Sequence, residues 1–378
     1  ENELFFNFIK LKLPFNFNFE IKKTIEYFLK VKKINLYLQL PDGLECFSVI
    51  LVNVLESTCF GMEKVWIGSR TTYGACCIED YLTKSIGGNF ILHYGHSCLV
   101  PITECMVSVL FIFLEIKFDF SFIGNTFKQF FPEKKPKVGL VSTIQFVSSL
   151  KSVKNGSFLE KYFILIPQIK PLSPGEILGC TSPYLENLPN IIYIGDGRFH
   201  LESIILTNIF SQFLQFDPFS QTLNLVGHKT VEILQERKSL ILKSVSSSKK
   251  IGLIIGSLGR QGNLTIMRRL SEIFEFRNLN KIQTIMPEIS LDKLDLLGGE
   301  ILDLWTQIAC PRLSIDWGSS LPKPLLTPYE ASTLFRFVFW ENFFYPMDYY
   351  SKKSGFWTNY SKTESNFIPK SFFKKIKL

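Results

Sequence analysis

Three cysteines are the residues of this sequence best suited to chemistry. Cys76, Cys180 and Cys310 each come after an apolar segment and directly follow a small residue, in the contexts Gly-Ala-Cys, Gly-Cys and Ala-Cys. The whole chain contains only three alanines, so two Ala-Cys pairs far exceed the number expected by chance. This pattern indicates that little bulk is tolerated before these cysteines. Their thiolates suit zinc, copper(I) or an iron–sulfur group.

The spacing of the three cysteines limits which group they hold. They lie in different thirds of the chain and no CxxC pair occurs, which excludes a zinc finger, whose ligands come in close pairs. A closed 4Fe-4S site takes four cysteines. Three ligands leave one iron with an open position, as a catalytic zinc with three protein ligands has. Zinc held by three thiolates remains an alternative.

Other metal-type residues are given structural roles. Cys76 is favoured over Cys77 because it directly follows the small residues. His93 and His96 are three residues apart, which points them to opposite faces of a strand, so hydrogen-bonded histidines at a strand end are favoured over a zinc site. The remaining cysteines lie in apolar surroundings and are interpreted as structural: Cys46, Cys59, Cys98 and Cys105.

Repeated elements must position these cysteines. Similar apolar segments begin at Ile34, Val138 and Ile251, and they predict buried strands of parallel sheets. Helix-length segments such as 45–56 and 264–276 follow, and strand–helix alternation indicates an α/β fold. Each candidate cysteine then falls at the C-terminal edge of a sheet, where open α/β sheets place their ligands. The distance from strand to cysteine is longest in the third unit.

We therefore expect three homologous α/β domains with mostly parallel sheets around a pseudo-threefold axis. The predicted boundaries are domain 1 at 1–133 with an N-terminal extension, domain 2 at 134–243, domain 3 at 244–350 and a peripheral C-terminal tail at 351–378. The Ser-rich segment 244–250 is the clearest linker. The basic end of the tail is interpreted as solvated.

The composition bounds the class of protein. The 378 residues are 46% hydrophobic and 20% charged, which supplies a globular core and excludes disorder. No uninterrupted apolar segment reaches the roughly 18 residues of a membrane span. Eight cysteines without a secretory signal predict a reducing compartment, and we expect a cytoplasmic protein. The net charge of +8 does not identify a partner by itself.

Long motifs of this sequence lie at 72–77, 93–101, 142–146, 170–183, 195–203, 256–262 and 310–318. Together they resemble the diphthamide synthase family, and within it most closely the first subunit of the eukaryotic enzymes. The resemblance extends from about residue 19 to residue 357. The two ends of the chain depart from the family.

The resemblance implies a cofactor and a reaction. In this family three homologous α/β domains each give one cysteine to a 4Fe-4S cluster, and the matching residues here are Cys76, Cys180 and Cys310. The reduced cluster cleaves the bond between sulfur and the γ-carbon of S-adenosylmethionine. The resulting 3-amino-3-carboxypropyl radical adds to imidazole C2 of a histidine in elongation factor 2, the first step of diphthamide synthesis. The chain is thus expected to be a transferase.

The resemblance also implies partners. Eukaryotic members form a heterodimer with a paralogous second subunit and modify elongation factor 2 as their protein substrate. A small iron-binding protein donates electrons. Neither a membrane nor a nucleic acid is expected as a partner.

Two further motifs are candidate contacts for S-adenosylmethionine. The loop 256–262, with Gly259, Arg260 and Gln261, follows a strand and precedes a helix, so its backbone N–H groups could bind a carboxylate. The alternative is a tight strand–helix turn. Arg312 could bind a substrate carboxylate with both of its outer nitrogens, close to Asp316, or these two residues could pair with each other.

Two rival functions remain open at this point. A quinolinate-synthase-like dehydratase also has three α/β domains and three cysteines around a cluster, and it uses the open iron as a Lewis acid. It would not consume S-adenosylmethionine. A non-catalytic scaffold subunit is the second rival, although the presence of all three cysteine motifs argues against it.

Overall fold

The computed structural model describes most of the chain. The described residues are 12–68, 74–97, 99–118, 123, 127, 130–131, 136–155, 162–227, 229–352 and 354–361. By their contacts they form two compact units. The first comprises the described residues up to Leu178, with Leu185–Leu201 and Phe210–Gly227. The second comprises Gly179–Tyr184, Glu202–Ile209 and the described residues from 229 onward.

The first unit begins with a wholly parallel sheet, which we call sheet 1. Its strands are β2 (Ile34–Gln39), β3 (Met62–Ile67), β4 (Phe90–Tyr94) and β5 (Ser108–Ile112), in the spatial order β3-β2-β4-β5. The short strands β1 (Phe17–Asn18) and β6 (Glu115–Ile116) pair antiparallel with each other. The central strands β2 and β4 are nearly continuous runs of buried residues, as expected for strands covered on both faces.

Sheet 2 also belongs to the first unit. Its strands are β7 (Lys137–Ser142), β8 (Phe163–Leu165), β9 (Asn190–Ile194), β10 (Gln212–Asp217) and β11 (Thr222–Leu225), in the spatial order β11-β10-β9-β7-β8. All neighbours are parallel except the edge strand β11, which runs antiparallel to β10. A short turn of four residues joins β10 to β11, and a link this short permits only an antiparallel pair.

Sheet 3 lies in the second unit and is wholly parallel. Its strands are β12 (Lys250–Gly256), β13 (Asn280–Met286), β14 (Leu304–Ile308) and β15 (Leu325–Leu326), in the spatial order β13-β12-β14-β15. Gly252 sits inside β12 because the indole ring of Trp305 occupies the space that a Cβ would need. This close approach explains a glycine at a strand interior, where it is otherwise unfavourable.

The three sheets share one strand order. In each, the first strand along the chain lies between the second and the third, and the fourth lies beside the third. This is a doubly wound order, whose ligands bind at the carboxyl ends of the strands. The strands predicted from Ile34, Val138 and Ile251 are these three first strands. The predicted fold class, α/β with mostly parallel sheets, is confirmed, while the domain boundaries stay predictions.

Helices connect the strands. Those described are α1 (Ile21–Phe28), α2 (Ser48–Thr58), α3 (Asp80–Ser85), α4 (Val147–Asn155), α5 (Phe199–Thr207), α6 (Thr230–Ser247), α7 (Leu264–Phe276), α8 (Leu291–Gly298), α9 (Pro311–Trp317) and α10 (Pro328–Leu334). The helix expected at 264–276 is α7, and the side chain of Asn263 caps it by accepting from the N–H groups of Thr265 and Ile266. The helix expected at 45–56 begins as a 3-10 turn and becomes α2 at Ser48.

The predicted linker at 244–250 is wrong. Helix α6 continues through Ser247, and β12 begins at Lys250. The hydroxyl of Ser244 donates to the carbonyl oxygen of Leu240 at 2.8 Å, one turn earlier. A serine whose hydroxyl bonds back to its own helix does not interrupt that helix. The segment 244–250 therefore stays ordered although its Ser-rich composition is typical of a linker.

The residues after Tyr350 that the structure describes pack within the second unit. Phe356 and Thr358 are buried, and the carbonyl oxygen of Phe356 accepts from Arg269 at 3.0 Å. The rest of the predicted tail, 362–378, lies outside the described residues. Within the described part of the chain, no helix has both the length and the apolar character needed to cross a membrane.

Candidate functional site

Cys76 lies at the carboxyl edge of sheet 1. It ends a 3-10 turn, Gly74–Cys76, that follows β3, and the thiols of Cys76 and Cys77 are both buried with their sulfurs 4.0 Å apart. The carbonyl oxygen of Cys77 accepts a hydrogen bond from Nε2 of Gln39, the last residue of β2, at 2.7 Å. The backbone beside Cys76 is therefore tied to the centre of its sheet.

Two histidines extend this arrangement. Nδ1 of His93 lies 2.9 Å from Oε1 of Gln39, and Nε2 of His93 lies 3.1 Å from Nδ1 of His96. The expectation that the histidines face opposite ways is wrong, because β4 ends at Tyr94 and Gly95 turns the chain with a φ of 74°. Burial lowers the pKa of His93 well below its usual range and lowers the pKa of His96 to about 4. Both rings are neutral near neutral pH, and the preference for hydrogen-bonded histidines is confirmed.

A buried carboxyl joins sheet 1 to sheet 2 within the first unit. Glu176 accepts from the hydroxyl of Ser97 and, at 2.8 Å, from the N–H of Ser173. Burial raises the pKa of Glu176 above its ordinary value. At the end of β7, where Ser142 pairs with Glu176 in an isolated β-bridge, the hydroxyl oxygens of Ser142 and Thr143 are buried and have no hydrogen-bond partner among the described residues. Sequence reasoning missed Glu176, because its partner Ser97 comes from a distant segment.

Cys180 lies in the second unit, in the segment Gly179–Tyr184. Its carbonyl oxygen accepts from the N–H of Tyr349 at 3.2 Å. The hydroxyl of Tyr349 in turn donates to the carbonyl oxygen of Gln261, also at 3.2 Å, in the loop after β12. These two bonds connect the Cys180 backbone to the carboxyl edge of sheet 3.

Cys310 follows β14 at the same edge of sheet 3. Its carbonyl oxygen accepts from Nε2 of Gln307 at 2.9 Å, and its thiol is buried. A Cβ on Gly256 would lie 2.6 Å from the Cβ of Ala309, which is itself only 2% exposed, so these two positions pack closely with small residues. The small residue before Cys310, inferred from the Ala-Cys pair, thus has a packing cause.

The longer offset to the third cysteine has a topological cause. Cys76 and Cys180 come after the second strands of their sheets, β3 and β8, whereas Cys310 comes after the third strand of its sheet, β14. In sheets 1 and 2, the residue at the position of Cys310, one small residue after a five-residue third strand, is His96 or Asp196. The three cysteines are therefore not equivalent members of the repeat.

The glycine-rich loop 256–262 is a tight strand–helix turn. Gly259 has a φ of 54°, which favours glycine, and a Cβ on Gly262 would overlap the carbonyl oxygen of Gly256. The N–H of Gln261 already donates within the loop, to Leu258 at 3.3 Å. The alternative of a tight turn is confirmed, and contacts of Gly259, Arg260 and Gln261 with S-adenosylmethionine stay a prediction.

Arg312 is engaged by two carboxylates of the second unit. The Nε–H of Arg312 donates to the two carboxylate oxygens of Asp316, at 2.9 and 3.0 Å. Its terminal nitrogen Nη2 donates to Oε2 of Glu202 at 2.6 Å. Although burial opposes it, these carboxylates raise the pKa of Arg312, and burial raises the pKa of Asp316. Of the two alternatives for Arg312 and Asp316, pairing is what the structure shows, and sequence reasoning missed Glu202 as the third member.

The cysteines assigned structural roles differ in exposure. Cys59 is buried in the core of the first unit, Cys105 is half-buried and Cys46 is exposed. Cys98 lies outside the described residues. Among the residues that the structure describes, no three His, Cys, Asp or Glu side chains lie close enough together to hold a single metal ion.

Comparisons with known proteins agree on one family. The model of the family described as "Putative diphthamide synthesis protein" matches residues 40–345. The chain is 43% identical over 359 residues to the 2-(3-amino-3-carboxypropyl)histidine synthase subunit 1 of Schizosaccharomyces pombe, which covers 93% of this chain and 80% of that protein. It is 41% identical over 350 residues to the protein of the same name from Homo sapiens, which covers 92% of this chain and 78% of that protein.

The fold is similar to that of a solved archaeal protein. Dph2 from Pyrococcus horikoshii, solved with a 4Fe-4S cluster, matches with a TM-score of 0.71 at 22% sequence identity. The match covers 87% of this chain and 94% of that chain. At this identity the likeness shows the fold, and a shared fold alone does not establish a shared function.

Proposed function

Because the chain belongs to the diphthamide synthesis protein family, we propose that it transfers the 3-amino-3-carboxypropyl group of S-adenosylmethionine to imidazole C2 of a histidine in elongation factor 2. This is the first step of diphthamide biosynthesis. The relatives' name supports the proposal, since a 2-(3-amino-3-carboxypropyl)histidine is the product of that transfer.

The transfer balances without a net oxidant. One electron breaks the bond between the sulfonium sulfur and the γ-carbon, and methylthioadenosine leaves. The 3-amino-3-carboxypropyl radical forms a bond to imidazole C2, which then gives up one proton and one electron. The electron that starts the reaction is thus returned at its end.

Cys76, Cys180 and Cys310 would hold a 4Fe-4S cluster. Their soft thiolate donors fit such a group, and three ligands leave one iron open. Backbone carbonyls at or beside all three cysteines are held by hydrogen bonds, from Gln39, Tyr349 and Gln307, which suits ligands that must keep one orientation. When bound, the cluster would supply the site for S-adenosylmethionine and the electron that cleaves it. The hydrogen-bonded backbone at or beside all three cysteines is the observation that carries the proposal.

Arg312 and the two carboxylates that engage it would orient S-adenosylmethionine. Glu202, Arg312 and Asp316 carry one positive and two negative charges when ionised, and both carboxylates are partly exposed. A group with this balance attracts the ammonium or sulfonium of the substrate more than its carboxylate. Gly259, Arg260 and Gln261 would contact the same substrate from the turn after β12.

The partners follow from the same proposal. The relatives' designation "subunit 1" supports a paralogous second subunit in a heterodimer. We infer elongation factor 2 as the protein substrate and a small iron-binding protein as the electron donor. A chain that modifies a translation factor would work in the cytoplasm.

The proposal is tested with the heterodimer, reconstituted with iron and sulfide without oxygen. The wild type should bind iron and sulfide, and after reduction it should form methylthioadenosine from S-adenosylmethionine and label elongation factor 2. Cys180→Ala should lose the cluster absorbance and turnover. Cys46→Ala, which changes an exposed cysteine, should keep both.

Three outcomes would contradict it. A reduced, cluster-bearing wild type that forms no methylthioadenosine would favour a dehydratase of the quinolinate-synthase kind. A heterodimer that turns over although this chain binds no iron would favour a scaffold. Full activity of Cys180→Ala would remove that residue from the ligand set.

A further inference from the structure

The segment that carries Cys76 is held on one side by a residue of sheet 1 and on the other by a residue of the turn after β4. On one side, Nε2 of Gln39 donates to the carbonyl oxygen of Cys77 at 2.7 Å. On the other side, the ring of His96 lies so close to Gly74 that a Cβ there would overlap its atoms. Gln39 is only 1% exposed, so water does not compete for its bond.

One hydrogen-bonded chain connects these two holds. Because the amide nitrogen of Gln39 donates to a carbonyl, its oxygen faces Nδ1 of His93 and must accept the proton there. His93 is fully buried and neutral, so its other nitrogen accepts from Nδ1 of His96. The network of partners thereby assigns both tautomers. It also leaves Nε2 of His96 without a proton.

As a consequence, the imidazole ring of His96 has a fixed orientation and packs against the turn Gly74–Cys76. A histidine held through one nitrogen has its plane and tautomer fixed, as in sites where such partners orient a metal ligand. Here the fixed ring limits where Gly74 lies, while the Gln39 amide limits where Cys77 lies. The intervening residues have little freedom to rotate.

We propose that Gln39, His93 and His96 are positioning residues that hold the thiolate of Cys76 in the orientation that binds iron. The inference rests on the proposed function, since it names what orients one of the three ligands. None of the three touches substrate in this account. They act only through the turn that carries Cys76.

A second buried glutamine supports the inference. Gln307 donates to the carbonyl oxygen of Cys310 at 2.9 Å, also from a strand of a parallel sheet, and it is fully buried. The same kind of bond thus holds the backbone of Cys310 itself and of the residue that follows Cys76, although the two cysteines differ in their place in the strand order. A general requirement for core packing would not select a donor to a carbonyl at both places.

The test replaces the donor without changing its shape. Gln39→Glu keeps an oxygen for His93 and, when its carboxyl is ionised, has no proton to donate to the carbonyl of Cys77. Gln215→Glu is the matched control, because Nε2 of Gln215 also donates to backbone carbonyls after a strand, those of Gly195 and Gly197 at 3.1 and 3.2 Å, and neither glycine adjoins a candidate cysteine in the sequence. His93→Phe removes the hydrogen bonds of His93 to Gln39 and His96 and keeps an aromatic ring. It provides a second test if Gln39→Glu does not fold.

Two measurements report on the thiolate. In the cluster-free heterodimer, alkylation of Cys76 by iodoacetamide is followed by peptide mass spectrometry, with Cys310 of the same molecule as the internal reference. We expect the rate of Cys76 alkylation, relative to that of Cys310, to rise several-fold in Gln39→Glu and His93→Phe. In the reconstituted heterodimer, iron loss to a chelator should accelerate about 10-fold or more, the usual effect of losing a residue that orients a metal ligand. Gln215→Glu should match the wild type in both.

The outcomes separate this inference from the proposed function. A wild type that takes up no iron and sulfide overturns the proposed function, and this inference with it. A wild-type cluster, combined with unchanged Cys76 alkylation and unchanged iron loss in folded Gln39→Glu and His93→Phe, overturns the positioning role alone.

Discussion

Buried polar side chains that hold particular backbone atoms are the main feature of this protein at the scale of residues. The buried amide of Gln39 donates to the carbonyl oxygen of the residue after Cys76, and that of Gln307 donates to the carbonyl oxygen of Cys310. The buried carboxyl of Glu176 instead accepts two hydrogen bonds, from the hydroxyl of Ser97 and from the backbone N–H of Ser173. A buried polar group without a partner costs about 1–3 kcal/mol, so each of these partners strongly favours one backbone arrangement.

Glu176 leads to a prediction about pH. Its pKa is raised in the folded state by burial. Its contribution to stability is therefore fully present below the pKa of the unfolded chain and is lost as the pH rises through the folded-state pKa. Glu176→Gln removes this loss, so the free energy of unfolding of the variant minus that of the wild type should increase between about pH 5 and about pH 8. Denaturant unfolding of the cluster-free protein at each pH measures it.

The control for this prediction is Glu56→Gln, which changes an exposed glutamate. Its difference from the wild type should stay constant with pH. A Glu176→Gln difference that stays constant or decreases as the pH rises would show that the buried carboxyl does not carry the expected proton linkage.

At the scale of elements, helix α10 is fixed by its first turn and by one buried ion pair. Thr327 caps the helix and Glu330 bonds back to the Thr327 N–H, which completes a capping box. Glu330 also binds Arg237 of α6 through both of its oxygens, at 2.7 and 2.6 Å. The same guanidinium donates to the carbonyl oxygen of Leu325 in β15. One residue thus joins two helices and an edge strand of sheet 3.

Breaking this pair should destabilise the second unit strongly. Arg237 and Glu330 have side chains only 2% and 0% exposed, so Glu330→Gln leaves a buried guanidinium without its countercharge. We expect a loss of about 3–5 kcal/mol of unfolding free energy. Glu288→Gln breaks an exposed pair with Lys293, so its effect on the unfolding free energy should be too small to measure. Denaturant unfolding of both variants checks this, and equal effects would show that burial of the pair is unimportant.

At the scale of the whole molecule, one strand order recurs in three consecutive parts of the chain. The repeat supplies three carboxyl edges, and the candidate ligands come from segments far apart in sequence. Cys76 belongs to the first compact unit, whereas Cys180 and Cys310 belong to the second. A group that binds all three would bind only the folded chain, so its binding energy would add to the stability of the whole molecule.

Removing the iron–sulfur group should therefore lower the unfolding temperature of the heterodimer. A group that binds only the folded state, present about 100-fold above its dissociation constant, adds about 3 kcal/mol. The wild type should unfold at a lower temperature after anaerobic treatment with a chelator, whereas Cys180→Ala should be unaffected. Calorimetry in the absence of oxygen measures both. Equal unfolding temperatures of treated and untreated wild type, with the cluster loss verified, would contradict this prediction.

Local patterns in the sequence were enough to locate the strands. The apolar segments at Ile34, Val138 and Ile251 are the first strands of the three sheets, and the helix at 264–276 ends where its pattern ends. These predictions succeed because burial on both faces of a parallel strand requires a continuous apolar run. The small residue before Cys310 could be inferred as well, since a close contact with Gly256 excludes bulk.

Only the tertiary structure decided which side chains meet. Gln39 reaches Cys77, and Arg312 reaches Glu202, across long separations in sequence. The place of Cys310 after a third strand also depends on strand order, which a list of strands does not contain. Burial patterns depend on neighbours along one strand or helix, and so they can be read from the sequence. A hydrogen bond between elements depends on where the sheets put their edges, and that is a property of the folded chain alone.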